Sequence, residues 1–199
     1  MVSNIKNLMT VADLDAFPDD DGKRYELIEG ELFVSCAPGL PHQLVLDNLQ
    51  FQLNKYLENN PVGTIVPGPG AVFSNYDAVI PDLVFVSNER WDSIVGNDRF
   101  VAAPDLVIEI VSPGSENRAR DLKAKRRLYG KYGVQEYWIV DGENRSVLVF
   151  RLQGTVLEQV SFLNHDDELA SPVLPGLVLK LSDVFKFRRR LPPPDELLT

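Results

Sequence analysis

Asp82 and Glu109 are the residues of this chain whose setting points most directly to chemistry. Asp82 follows Pro81 near the start of a strand-like run, Val79–Val86, and Glu109 is the one polar residue inside the run Asp105–Val111 (DLVIEIV). A buried carboxylate is costly unless it is paired, hydrogen-bonded or bound to a metal. Side chains alternate along a strand, so Val107, Glu109 and Val111 share one face and Leu106, Ile108 and Ile110 the other. If the strands of Asp82 and Glu109 are neighbours, the two carboxylates meet at one end of a sheet. Two acidic oxygens and a main-chain carbonyl form a hard-oxygen site suited to Mg²⁺, which keeps waters for substrate. The plainer alternative is an exposed strand-end Asp and a Glu paired with a core arginine, and spacing alone does not separate the two.

The helix expected after Glu109 supplies an amine. Asp121, Lys125, Leu128/Tyr129 and Tyr132 recur on one side of it, with Lys125 near Leu122, Leu128 and Tyr129, while Arg126 and Arg127 face outward. A lysine beside a metal-bound carboxylate pair can stabilise charge on a scissile phosphate or orient the attacking water. The alternative is a lysine that snorkels to solvent and pairs with Asp121 one turn back.

The elements that must hold these residues read as follows. A short helix over Val11–Phe17 precedes two extended runs within Arg24–Ser35 around Glu29-Gly30. Pro41–Asn59 is a helix with Leu46, Leu49, Leu53 and Tyr56/Leu57 at helical spacing, stopped by Pro61 and Gly63. Short strands follow at Thr64–Val66 and Ala71–Phe73, then Val79–Val86. The Asp105–Val111 run, apolar on both faces, is a central strand covered on both sides. A helix opening at Ser112-Pro113-Gly114-Ser115 runs to about Lys131, with Gly133 just past its end. Strands at Gln135–Val140, Ser146–Leu152, Thr155–Phe162 and Leu177–Leu181 complete an α/β (α+β) pattern, a mixed central sheet flanked by helices. One domain over 1–187 and a polar, proline-rich tail over 188–199 are expected from 199 residues.

Composition narrows the function classes. Cys36 is the only cysteine, which excludes an internal disulfide and a thiolate zinc site. No run approaches the length of a membrane-spanning helix and no signal-peptide core opens the chain, so a cytoplasmic location is expected. Against 29 Asp+Glu stand 20 Lys+Arg, a net charge of −9 that excludes general coating of nucleic acid. The charge is uneven: Arg118, Arg120, Lys123, Lys125, Arg126, Arg127 and Lys131 face one acid, Asp121, whereas the first 31 residues are rich in acids. Either block also reads simply as a solvated face. No phosphate-cradling glycine loop, GxSxG or HExxH is present.

The stretch PDLVIEIVSPGSENRARDLKAKRRLYGKYGVQEYWIVD from Pro104 resembles the core of the Uma-type family of putative restriction endonucleases, a branch of the PD-(D/E)XK nuclease superfamily. RYELIEGEL at Arg24–Leu32, His42, Pro81-Asp82 and GLVLKLSDVF at Gly176–Phe185 fit the same pattern in order. The resemblance implies a restriction-endonuclease-like core with an N-terminal hairpin extension. It implies a metal site of Asp82, Glu109 and the carbonyl of Ile110, holding Mg²⁺ with Mn²⁺ able to substitute. Val111 stands where most of the superfamily has its lysine, and the D-x-x-x-K pair Asp121 and Lys125 places the lysine on the helix instead. Glu26, Glu31 and His42 match family positions that could join the site. Tyr129, Tyr137 and Trp138 read as core packing.

Hypothesis one is a metal-dependent endonuclease acting on DNA. Asp82, Glu109 and Lys125 are its catalytic residues, and Arg118, Arg120, Lys123, Arg126 and Arg127 grip backbone phosphates. A homodimer suits the cutting of two strands, and neither a membrane nor an organic cofactor is expected. Hypothesis two is an inactive module of the same fold that binds nucleic acid or a protein, motivated by Val111 and the acidic surface. A third, an oligomeric structural protein, rests on the apolar strands and the tail alone.

Overall fold

The computed structural model describes residues 8–14, 16–18, 21–96, 98–111 and 118–186, with side chains from 122 onward in the helix that opens at Arg118. The tail at 188–199, the segment Ser112–Ser115 and the side chains of Arg118, Arg120 and Asp121 lie outside the described residues.

The order along the chain is α1 (Val11–Leu14), β1 (Lys23–Ile28), β2 (Glu31–Cys36), α2 (Leu40–Asn59), β3 (Gly63–Pro67), β4 (Ala71–Ser74), β5 (Asp77–Val79), β6 (Leu83–Ser87), α3 (Trp91–Ile94), β7 (Val95–Gly96), β8 (Arg99–Phe100) and β9 (Leu106–Val111). It continues with α4 (Arg118–Tyr132), β10 (Glu136–Asp141), β11 (Ser146–Gln153), β12 (Val156–Asn164), β13 (Glu168–Ser171), β14 (Leu174–Lys180) and α5 (Leu181–Val184). The expected mixed sheet is present as β12-β11-β10-β9-β6-β3. In it β9 and β10 run parallel, joined across α4, and β6 runs antiparallel to β9. The N-terminal hairpin is more than an extension. It belongs to a second six-stranded sheet, β2-β1-β5-β4-β8-β7, and β13-β14 form a two-stranded ribbon.

Strand β9 is buried along its whole length, as its apolar residues on both faces require. Leu106, Ile108 and Ile110 enter one core with Val45, Leu49 and Leu53 of α2 and with Leu174 and Leu177 of β14. Val107 and Val111 enter another with Leu128 and Tyr129 of α4 and with Ile28, Ala71 and Val79 of the second sheet. Glu109 therefore points toward the layer between α4 and the hairpin sheet. Gly130 lets α4 come this close: a Cβ there would lie 2.7 Å from the Thr155 carbonyl oxygen.

The run Val79–Val86 is not one strand. It divides into β5 and β6, which lie in different sheets, and the break falls at Ile80-Pro81-Asp82. Proline has no N–H to continue a ladder, and the Ile80 N–H leaves its own ladder for Glu26 Oε1 at 2.8 Å. The chain thus crosses from one sheet to the other at the dipeptide that carries Asp82.

Candidate active site

Each acidic residue reaches the site by a separate local rule. Glu109 is set by the pleat of β9. Asp82 precedes β6, whose antiparallel register pairs Leu83 with Ile108, so the next step brings Asp82 beside the end of β9. There Asp82 Oδ2 accepts the main-chain N–H of Ile110 at 2.8 Å. Its Oδ1 accepts Arg24 Nη1 at 3.1 Å and lies 3.2 Å from His42 Nε2. Glu26 comes from β1, where Arg24, Glu26 and Ile28 alternate onto one face and all line the same cleft.

Lys125 closes the constellation from α4. Its Nζ lies 3.0 Å from Glu109 Oε1 and 2.9 Å from Glu26 Oε1, with the side chain 12% exposed. Tyr129, one turn further along the helix, donates its hydroxyl to Glu109 Oε1 at 2.7 Å. The lysine thus pairs with the site carboxylates. The cleft holds about 600 Å³ and runs between the hairpin and the ends of β6 and β9, with Arg24, Glu26, His42, Asp82, Glu109 and Lys125 on its polar wall.

Glu26, Asp82 and Glu109 are 7%, 4% and 7% exposed, so burial governs their electrostatics. Burial first, then the charges of Asp82 and Glu26, push Glu109 up to about 7, although Lys125 and the Tyr129 hydroxyl pull the other way. Burial also raises the Asp82 carboxyl, but the His42 contact, the Ile110 N–H and the Lys125 charge together hold it below the usual carboxylate range. Burial pulls the Lys125 ammonium down, and Glu109 and Glu26 more than reverse that, so it stays protonated.

The residues predicted for the site are sorted by these contacts. Asp82, Glu109, Lys125, Glu26 and His42 come together. Glu31 does not: it is exposed at the start of β2 and is absent from the cleft wall. Lys123, Arg126 and Arg127 are exposed on α4. Arg126 lies 5.2 Å above the Phe150 ring and Arg127 pairs with Glu29 at 3.0 Å. Tyr137 and Trp138 pack in the core as expected, but Tyr129 does more than pack, because it hydrogen-bonds the site carboxylate. Arg24 joins the site from β1, and its i, i+2 relation to Glu26 is the signal in the sequence that pairs the two.

Three buried carboxylates on one wall are the hard-oxygen donors a divalent cation prefers. Burial, with Asp82 and Glu26 beside it, disfavours the charged form of Glu109, a form that a cation would stabilise. The donors therefore fit the ion in kind. As arranged, no group of three or more His, Cys, Asp or Glu among the described residues is gathered tightly enough to hold one. The Lys125 ammonium stands between Glu26 and Glu109, so ion binding at Asp82, Glu109 and the Ile110 carbonyl requires these side chains to rearrange.

A mixed sheet with helices on it and an acidic cleft at the strand ends is a nuclease-like architecture. A crystal structure of a putative nuclease belonging to DUF820 from Anabaena variabilis shares the fold, with a TM-score of 0.72 at 23% sequence identity, covering 89% of this chain and 97% of that one. The sequence profile of the Uma2 family, described as putative restriction endonuclease, matches residues 11–182, and the chain belongs to that family. No curated protein matches the chain. Among the described residues no helix is long and apolar enough to cross a membrane.

Proposed function

We propose that the protein is a Mg²⁺-dependent endonuclease that hydrolyses phosphodiester bonds in DNA. The observation that carries the reading is the convergence of Asp82, at the entry to β6, and Glu109, on the adjacent β9, with Lys125, from the helix that follows, in one cleft. Asp82, Glu109 and the Ile110 carbonyl would hold the ion, which Mn²⁺ could replace and which, when bound, lowers the pKa of water and polarises a phosphate.

The chain's own groups have distinct tasks in this reading. The Ile110 N–H and His42 fix the direction of the Asp82 carboxylate. Tyr129 fixes Glu109. Glu26, anchored on the Ile80 N–H, holds Lys125 beside Glu109, where its ammonium stabilises negative charge that develops on the phosphate. Val111, buried at the end of β9, leaves the strand without a lysine, and Lys125 brings an ammonium to the same carboxylate from α4. Lys123, Arg126 and Arg127, with Arg118 and Arg120 of the same helix, would contact backbone phosphates, which positions the duplex without reading its sequence.

The test is incubation of purified protein with supercoiled plasmid and Mg²⁺ or Mn²⁺. Nicking or linearisation by wild type that is lost in Asp82→Ala supports the reading. Equal cleavage by both proteins, or none by either, favours instead a binding module that keeps the nuclease fold.

A further inference from the structure

We propose that Arg24 grips a phosphate of the substrate in this cleft, a contact that rests on the nuclease reading and adds to it. Among the described residues, Arg24 and Lys125 are the arginine and lysine side chains of the cleft wall, and they are not equivalent. Lys125 is wedged between Glu26 and Glu109 at 2.9 and 3.0 Å. Turning it toward a ligand would leave two buried carboxylates without their cation, a heavy cost. Arg24 stands on β1 with its side chain 31% exposed and touches Asp82 through Nη1 at 3.1 Å. Asp82 keeps the Ile110 N–H and His42 when the guanidinium turns away. Arg24 is therefore the cation that can meet an incoming anion at low cost.

Its chemistry selects the anion. A guanidinium offers five N–H donors in a planar fork, more than one Asp82 oxygen can accept, and the fork matches two oxygens of a phosphate. The outward cations of α4 lack this position: Arg126 stacks on Phe150, Arg127 pairs with Glu29, and neither lines the cleft. A phosphodiester held by Arg24 lies next to Asp82, beside the acidic groups that would act on it.

The test is fluorescence anisotropy of a short fluorescein-labelled DNA duplex, titrated with the full chain in EDTA from low to moderate salt. Arg24→Gln should bind about tenfold more weakly at low salt. The slope of log affinity against log salt should become shallower by about one. Arg24→Lys keeps the charge but loses the fork and should fall between the two. Lys55→Gln, the same charge change on the exposed side of α2, should match wild type. A residue that only braces Asp82 would alter the melting temperature and leave the salt slope in place. If Arg24→Gln and Arg24→Lys both match wild type in affinity and slope while wild type binds, the proposal is overturned and the nuclease reading stands. If wild type binds no duplex at low salt, both fall. If Arg24→Gln does not fold, Arg24→Lys carries the test, and affinity equal to wild type overturns the proposal.

Discussion

Glu109→Gln should make the metal-free protein relatively more stable as pH rises. Glu109 is buried, and its carboxyl is raised from an ordinary 4.5 to about 7, chiefly by burial. A carboxyl that holds its proton more tightly in the folded than in the unfolded chain contributes stability that is fully present below 4.5. That contribution is lost as pH climbs through 7. At about 1.4 kcal/mol per pH unit, the displacement is worth about 3 kcal/mol. Glutamine has no proton to lose, so the variant keeps what wild type gives up. Between pH 4.5 and pH 8 the stability difference should move by about 3 kcal/mol in favour of Glu109→Gln. For a chain of this size that is about 6–12 °C in melting temperature. The assay is thermal unfolding by circular dichroism in EDTA across that pH range, with the two proteins compared at each pH so that titrating groups away from this cleft cancel. Parallel curves would refute the reasoning. So would a wild type that gains on the variant as pH rises, since the pairing with Lys125 would then outweigh the burial of the charge.

Four further outcomes are expected. Asp82→Asn and Lys125→Met should each lower plasmid cleavage in Mg²⁺ by about 10²-fold or more, read from gel time courses. Saturating Mg²⁺ or Mn²⁺ should raise the melting temperature of wild type by several degrees and leave that of Asp82→Asn unmoved, as linkage of an ion to the folded state requires. Tyr129→Phe removes a donor from a buried carboxylate and should cost about 1.5–3 kcal/mol in urea unfolding at pH 8, less at pH 5 where Glu109 is protonated. Gly130→Ala places a methyl 2.7 Å from the Thr155 carbonyl oxygen, which forces α4 off β12. It should cost about 1–3 kcal/mol, with a drop in activity exceeding what a comparable core substitution elsewhere causes.

Much of the site could be read from local pattern. The pleat of β9 isolates Glu109 among apolar neighbours, and the helical period places Lys125 on the inner side of α4 with Leu128 and Tyr129. Both are rules of short range, and both held. What depended on how two sheets meet could not be read the same way. Alternation along β1 puts Glu26 opposite Leu27 and so on the face that reads as solvent, but the cleft lies there because the ends of β6 and β9 abut it. The same alternation takes Arg24 to the same wall. Val79–Val86 looks continuous because its residue types suit a strand throughout. Pro81 marks the division, and only the pairing of Leu27 with Ala78 and of Leu83 with Ile108 shows that the halves serve different sheets. Tyr129 carries a signal in its position four residues after Lys125, yet an aromatic in a core-facing stripe gives no sign that its hydroxyl meets a carboxylate. Strands as short as β7 and β8 have too few residues to display a period.

The crossing at Ile80-Pro81-Asp82 makes Asp82 a strut between two layers. Its neighbours on either side answer to different ladders, and its carboxylate is tied to β9 by Ile110 and to the hairpin by Arg24. The spacing of Asp82 from Glu109 is set within one sheet by the register of β6 on β9, whereas the spacing of either from Glu26 is set by how the two sheets meet. A molecule that wedged the seam open would therefore part Glu26, with its hold on Lys125, from the other two carboxylates and leave that pair together.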